Sequence, residues 1–392
     1  MRTRILACCA AALAALTAFS ASAFGKPHRA VCSTAVAAAV AHCQASVVVD
    51  AAGKPAAAVA PAGYGPAQFH AAYALPATAP VAQTIAIVDA YDDPTVASDL
   101  NAYDATFGLP ACTTANGCFR KVNQNGVAGS YPSKSAGWAL EIALDVETAH
   151  AICQNCKILL VEASSASFAS LEASVGTAAR LGATEISNSY GGSEFSGETA
   201  DTAYKHPGIA VTVAAGDNGY GSFGFPAASP YVVAVGGTTL TLGSGGAWAG
   251  ETAWSGGGSG CSGYLLAQSW QTSDANWSLT GCGTKRGVAD VAADADPSTG
   301  AAVYDTTRYG GRSGWFQVGG TSLSSPLVAG VYALAGNAAS KAYPASLAYA
   351  NRAALHDVTA GSTGSCTTLM CVAGAGYDGP TGVGSPIGLG AF

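Results

Sequence analysis

The stretch Gly319-Gly320-Thr321-Ser322-Leu323-Ser324-Ser325-Pro326 places a serine in a glycine-preceded turn, ahead of an apolar, Ala- and Leu-rich run from Leu327 to Gly336. The glycines permit a sharp turn, and a helix over that run would present unpaired N–H groups and its positive dipole end beside the Ser322 hydroxyl. The same helix start can face a developing oxyanion. Taken alone, the motif also reads as a Ser/Thr-rich helix cap, because a nucleophile needs a base. The candidate base is a carboxyl pair, Glu141 and Asp145, in Trp138-Ala-Leu-Glu-Ile-Ala-Leu-Asp-Val-Glu-Thr-Ala-His150. Four residues apart on a helix, the two lie one turn apart on one face. Ala139, Leu140, Ile142, Ala143, Leu144, Val146 and Ala149 surround them, and nothing basic stands three or four positions away. Two close carboxyls in a poor solvent cannot both ionise cheaply, so one pKa should rise. Histidine is the usual partner of a catalytic serine, yet none of the six histidines opens a His-Gly-Thr helix start. His150 falls on the opposite side of the helix from Glu141 and reads as a packed or capping residue.

These side chains need a scaffold, and the apolar pattern supplies one. Gln83–Asp89, Ile158–Ala163, Glu185–Ser189 and Ile209–Ala215 read as short buried strands. Helical stretches over 95–107, 138–152, 167–181 and 197–206 lie between or beside them. Strands alternating with helices predict an α/β fold, a mostly parallel doubly wound sheet with helices on both faces. Ligands bind such sheets beyond the carboxyl ends of the strands, which draws attention to Asp89, Ser189, Gly216-Asp217-Asn218 and the Ser322 turn. No internal repeat of fixed period is present.

Composition narrows the class. The 392 residues carry only 10% charged side chains and 50 glycines, and the formal net charge is −7. Arg2 and Arg4, the apolar run Ile5–Phe19 and Ala21-Ser22-Ala23 read as a secretory signal peptide over 1–23. Its removal leaves a charge of −9, which argues against nucleic acid or an anionic membrane as partner. No later segment offers eighteen uninterrupted apolar residues, so a soluble, exported, extracellular protein is expected, and a monomer. Without Cys8 and Cys9, ten cysteines remain and fall into close couples: Cys32/Cys43, Cys112/Cys118, Cys153/Cys156, Cys261/Cys282 and Cys366/Cys371. Five local disulfides are expected in an oxidising compartment. Residues 24–62 read as a short N-terminal segment, an appendage open to removal, and 63–392 as a single catalytic domain.

From about Tyr64 to Phe392 the sequence resembles the sedolisin family of serine-carboxyl peptidases, in which Glu and Asp replace the His and Asp of subtilisin on a related fold. The resemblance is carried in order by Gly63–Pro76, Ile85–Pro94, Phe107–Pro110, Glu141-x-x-x-Asp145, Gly216-Asp217, Arg286–Pro297 and the Ser322 turn. It implies a subtilisin-like fold and an acid-active endopeptidase of polypeptides. Ser322 would be the nucleophile, Glu141 the base, Asp145 its partner, and a protonated Asp217 a donor in the oxyanion hole. Ser189–Gly192 and Trp254–Gly258 resemble the backbone walls of a substrate cleft. The resemblance also implies one structural Ca²⁺, held by the carboxylates of Asp357 and Asp378 and the carbonyls of Val358, Gly374 and Gly376, an all-oxygen set that suits that ion. The sequence departs from the family at its start, where residues 24–62 stand in place of a long folded prodomain. That departure motivates a second expectation, a secreted binding or cell-wall-associated protein that keeps the fold without turnover. An ordinary Ser-His-Asp subtilisin is disfavoured by the missing His-Gly-Thr motif.

Overall fold

The nearly continuous apolar runs form the middle of one central sheet, as expected of strands buried on both faces. The computed structural model describes residues 25–34, 37 and 39–392, so the expected signal peptide lies outside the described residues. In chain order the strands are β1 His28–Ala30, β2 His42–Cys43, β3 Ser46–Val48, β4 Thr84–Ala90, β5 Phe119–Asn123, β6 Lys157–Ala163, β7 Glu185–Asn188 and β8 Tyr190–Gly191. There follow β9 Ala210–Ala214, β10 Val233–Leu242, β11 Trp248–Ala253, β12 Gly260–Leu266, β13 Lys285–Val288, β14 Val291–Asp294, β15 Ala301–Tyr309 and β16 Arg312–Gly319. The central sheet has the order β11-β10-β9-β7-β4-β6-β5, and β14 also pairs with β10. Its pairings are parallel except for β10 with β11. Helices Val96–Phe107, Ala136–Ile152, Phe168–Arg180 and Thr321–Ala335 flank it. The fold is the expected α/β, mostly parallel sheet in a single domain.

The helix carrying the acids is buried on every side: each residue from Trp138 to Ile152 is sealed from solvent. A helix apolar all round belongs inside a core, and this one lies against the serine-bearing helix and β15. The two helices approach so closely that a Cβ on Gly330 would lie 2.6 Å from Ile152 Cγ2. Burial thus holds acids and serine in one rigid block. The Arg286–Pro297 signature has a structural basis too: Arg286 and Asp290 form a buried ion pair, with the Gln271 amide and Tyr349 hydroxyl donating to Asp290 Oδ1. All five expected disulfides are formed.

Two elements differ from expectation. The helix expected over 197–206 is a single 3₁₀ turn, Ser196–Ala200. Glu198 turns back to accept the Phe195 N–H at 3.2 Å, and Asp201 Oδ1 accepts the Ala203 N–H at 2.7 Å, local bonds that compete with helix continuation. The second difference is larger. The described part of residues 24–62, expected as an appendage, is built into the fold: β1, β3, β16 and β15 form a second sheet in that order, and β2 pairs with β8. Ala41 and Cys43–Val48 are buried.

Candidate active site

The helix that bears the serine starts earlier than its apolar run suggests, at Thr321, so Ser322 sits in the first turn. Its N–H has no partner within the helix. Pro326 lacks the N–H that would bond the Ser322 carbonyl, and Ser189 Oγ donates to that carbonyl instead, at 3.3 Å. Ser322 Oγ in turn donates to the Ser189 carbonyl at 3.2 Å. Ser189, the residue that follows β7, thus holds Ser322 through both its hydroxyl and its carbonyl.

Glu141 and Asp145 are fully buried, and none of their carboxylate oxygens has a hydrogen-bond partner among the described residues. Burial pushes Glu141 well above the usual carboxyl range. The negative charges of Asp145, Asp89 and Asp217 add to the rise, while the Ser322 hydroxyl opposes it. Burial also raises Asp145, with Asp89 adding and the Ser189 hydroxyl opposing. Asp89, at the carboxyl end of β4, is thus a third member of the cluster, pushed up to about 8 by burial. The sequence marked Asp89 by its place after an apolar strand but offered no partner for it, because the contact joins residues more than fifty positions apart.

Asp217 caps the serine helix. Its Oδ1 accepts the Thr321 N–H at 2.8 Å and the Thr321 hydroxyl at 2.9 Å. Its Oδ2 is buried with no partner among the described residues. Burial raises this carboxyl to about 7 against the pull of Thr321, so in acid it carries a proton and can donate. The direction in which it would donate is fixed by Gly320 (φ 102°), where a Cβ would lie 2.4 Å from Asp217 Oδ2 and 2.3 Å from the Gln44 carbonyl oxygen. Only glycine leaves that notch open. The Gln44 carbonyl also accepts the Ser322 N–H at 2.9 Å.

The structure thus brings together four of the expected site residues, Glu141, Asp145, Asp217 and Ser322, beyond the carboxyl ends of the parallel strands. His150 is packed as expected, its Nε2 2.9 Å from the Pro110 carbonyl and 3.3 Å from Asp104. Of the cleft walls, Tyr190–Gly191 is occupied by β2, and Gly258 donates to the Gly216 carbonyl at 2.7 Å. Beside the N-terminal segment a cavity of about 450 Å³ remains, bounded on the far side by Tyr91, Ser135 and Trp138.

The sequence pattern of the subtilase family matches residues 127–363, more than half of the chain. The chain belongs to the subtilase family. Kumamolisin of Bacillus sp. (strain MN-32) is 32% identical over 372 residues, which cover 84% of this chain and 63% of kumamolisin. Xanthomonalisin of Xanthomonas sp. (strain T-22) is 40% identical over 186 residues, 41% of this chain and 21% of that protein. Sedolisin of Pseudomonas sp. (strain 101) is 37% identical over 180 residues, 42% of this chain and 29% of that protein. Each match spans less than two thirds of the relative's own length. Among solved structures, Pseudomonas sedolisin, a serine-carboxyl proteinase complexed with two molecules of pseudo-iodotyrostatin, superposes with a TM-score of 0.69 at 27% identity, covering 83% of this chain and 96% of that one. Sphericase shares the fold, with a TM-score of 0.53 at 16% identity. Within the subtilases, these relatives put the chain in the sedolisin family.

The C-terminal loops of this subtilase bring the five expected calcium ligands together. Gly376 N–H donates to Asp357 Oδ2 at 2.9 Å, and Gly374 N–H to Asp378 Oδ2 at 2.8 Å. Asp378 Oδ1 accepts from the Thr381 N–H and hydroxyl. Among the described residues the carbonyls of Gly374 and Gly376 accept no hydrogen bond, and that of Val358 accepts only the Thr381 hydroxyl, at 3.5 Å. A second acidic group, Asp93, Asp99 and Asp305, joins the start of the Val96–Phe107 helix to β15. Threonines bridge it: Thr95 and Thr306 hydroxyls donate to Asp99, and that of Thr307 to Asp93.

Among the described residues no helix is long and apolar enough to cross a membrane.

Proposed function

We propose that this chain is an exported, acid-active serine-carboxyl endopeptidase of polypeptides. The observation that carries the reading is the Ser322 N–H and Asp217 Oδ2 facing one glycine-lined notch, on the helix that packs against Glu141 and Asp145. In this reading Ser322 Oγ attacks the peptide carbonyl and Glu141 takes its proton. Asp145 and Asp89 hold the Glu141 carboxyl in a shared-proton cluster. The Ser322 N–H and a protonated Asp217 donate to the tetrahedral oxyanion, which they fit better than the planar carbonyl. Glu141 then returns the proton to the leaving amine.

The acids fix the pH range. A cluster of close carboxyls titrates as a unit and releases its first proton at the lowest pH. Clearing the cleft would admit water to Glu141 and lower that first step. On the alkaline side Asp217 ionises around pH 7, and its charge would repel the oxyanion. The profile of kcat/KM against pH for a soluble peptide is therefore expected to be bell-shaped, with its maximum in acid and little activity at pH 8. A maximum at or above pH 8 would rule out the assignment of Asp217. Stability should follow the same sense. Burial raises Asp89 and Glu185 to about 8, Asp305 to about 8 and Asp93 to about 6, against about 4 in an unfolded chain. Between those limits the folded state holds protons that the unfolded state has lost, so stability is fully present below about pH 4 and declines as pH rises toward 8. Tm should be higher at pH 4 than at pH 7.5.

The C-terminal donor set fits a calcium ion: two carboxylates and three carbonyls with no backbone N–H to satisfy them. Asp357, Asp378, Val358, Gly374 and Gly376 would hold the ion, which would tie the two C-terminal loops together. Chelation is expected to lower Tm by several degrees, and millimolar Ca²⁺ to restore it. Superimposable melts with EDTA and with Ca²⁺ would remove the ion from this reading.

A further inference from the structure

Beside the notch at Ser322 lies a cavity that the proposed chemistry leaves unused. Gln44 shows how an extended chain meets the cleft: its N–H donates to the Ser189 carbonyl at 3.0 Å, and its carbonyl sits in the notch. His42 stands opposite Gly191 and Cys43 opposite Tyr190 in an antiparallel pair. The Gln44 side chain therefore lies on the same face of this wall as Ser189 and Gly191. A Cβ on Gly191 would lie 3.2 Å from Gln44 Nε2. The next residue of that alternation is Ser193, and Ser193 lines a cavity of about 480 Å³.

The other side of the cavity belongs to the loop that carries Asp217. That loop is zipped to the 254–258 wall: Gly258 N–H donates to the Gly216 carbonyl at 2.7 Å, and Gly219 N–H to that of Gly256 at 2.8 Å. Tyr220 and Phe223 line the cavity from this loop, and Gly260 lines it from β12. Glu194 bridges the two sides. Its Oε2 accepts the Gly263 N–H at 3.0 Å, and its Oε1 accepts the Ser262 hydroxyl. That hydroxyl already accepts the N–H groups of Tyr264 and Leu265, at 3.1 and 2.8 Å, so its proton is left for Glu194. Both oxygens thus act as acceptors, as those of an ionised carboxylate do. Glu198, buried four residues on, is raised by its burial and by the neighbouring Glu194, so of the two carboxyls it is Glu198 that keeps a proton. The Cys261–Cys282 disulfide fixes the start of β12, and the carboxylate is held in place before any ligand arrives. No basic side chain lines the cavity among the described residues.

We propose that this cavity receives the side chain of the substrate residue whose carbonyl Ser322 attacks, and that Glu194 selects a basic residue there, arginine above lysine. The proposal deepens the peptidase reading above and rests on it. Each Glu194 oxygen has a lone pair beyond the one that Ser262 or Gly263 fills, so a guanidinium can add its N–H groups without displacing either donor. The rings of Tyr220 and Phe223 offer a planar cation faces to lie against, which favours arginine over the compact ammonium of lysine. Gln44 supplies the contrast. Its Nε2 meets only His42 Nε2, at 3.3 Å, and its buried Oε1 has no partner among the described residues. A shorter, uncharged side chain at this position leaves the carboxylate unused.

The test is digestion of a peptide library by the full chain in acid, with the products read by mass spectrometry. It is followed by kcat/KM on matched peptides that carry Arg, Lys, Leu or Glu before the cut bond. The expected result is cutting concentrated after Arg and Lys, with the Arg peptide ahead of the Leu peptide by at least about tenfold, the scale of a hydrogen bond to a charged group. Glu194→Gln keeps the size of the side chain and should lower the Arg-to-Leu ratio about tenfold. Glu194→Arg should turn the preference toward Glu. A ratio is read rather than a rate, so a variant that folds in part still reports. A Glu194 that only braces β12 would give variants slowed alike on every peptide, and an unchanged ratio would overturn the inference. So would a wild-type preference for Leu or Glu over Arg. Either result would leave the peptidase reading standing, since the peptides are still cut. A wild-type chain that cuts no peptide in the library would sink both.

Discussion

Ser322→Ala is expected to lower kcat by about 10⁶-fold, the scale of losing the nucleophile of a serine peptidase, while leaving the fold in place. The chemical half follows from the site. In the proposed mechanism, a chain without Oγ keeps the carboxyl base and the oxyanion notch but has nothing to form an acyl intermediate. The structural half follows from the environment of the residue. Ser322 is fully buried, and its hydroxyl donates a single hydrogen bond to the Ser189 carbonyl at 3.2 Å. Losing such a bond costs about 0.5–1.5 kcal/mol. The Ser189 carbonyl is not orphaned, because it still accepts the Gln44 N–H. The Ser322 carbonyl likewise keeps its bond from Ser189 Oγ. Turnover of a peptide at the acid optimum and a thermal melt are the two measurements. A well-folded Ser322→Ala protein that cleaves within tenfold of wild type would overturn the assignment of the nucleophile.

The sequence displayed the scaffold because burial leaves a pattern. Strands covered on both faces must be apolar throughout, so Ile85–Val88 and Ile158–Val161 announce themselves, and the buried helical stretch 138–152 shows as a mostly apolar run broken by Glu141, Asp145, Glu147, Thr148 and His150. Glu141 and Asp145 stood out because two carboxyls in that run have no local reason to be there. The pairing of cysteines was legible because each couple is close in sequence. What stayed hidden depends on contacts between distant residues. Strands β1 to β3 have only two or three residues each, too few to show an alternation. They are held by partners such as Gly191 and Val318, well over a hundred positions away. The 24–62 segment therefore read as an alanine-rich appendage, although it carries Gln44 to the centre of the site. Asp89 was noticed only by position for the same reason: the fold, not the local sequence, puts it beside Asp145. At 197–206, side chains that fold back on the backbone stopped a helix that composition alone allowed.

The geometry of Asp217 leads to the second large effect, that of replacing the base. Glu141→His would install the base used by subtilisins, which taken alone argues for activity at neutral pH; the expected result is the opposite, loss of activity across the range. In acid the new imidazole is protonated and cannot accept the Ser322 proton, and its cationic form is favoured further by Asp145 and Asp89 whenever either ionises. At pH 7.5 the imidazole is more often neutral, but by then most of Asp217, raised only to about 7, carries a negative charge in the notch where the oxyanion must form. Losing an oxyanion donor costs about 10²–10³-fold in kcat, and replacing it with a like charge costs more. In the proposed mechanism base and oxyanion acid are thus tied to the same pH range, and changing one alone separates them. Adding Asp217→Asn should reconnect them. The Asn carbonyl can accept the Thr321 N–H as Oδ1 does now, and its NH₂ takes the place of Oδ2 and donates at any pH. The double variant Glu141→His/Asp217→Asn is therefore expected to exceed the single variant by at least about 10²-fold at pH 7.5. The measurement is kcat/KM against pH for both proteins on one peptide, with prior removal of the N-terminal segment confirmed by mass. A Glu141→His single variant that matches the double at pH 7.5 would show that the Asp217 carboxyl does not face the oxyanion.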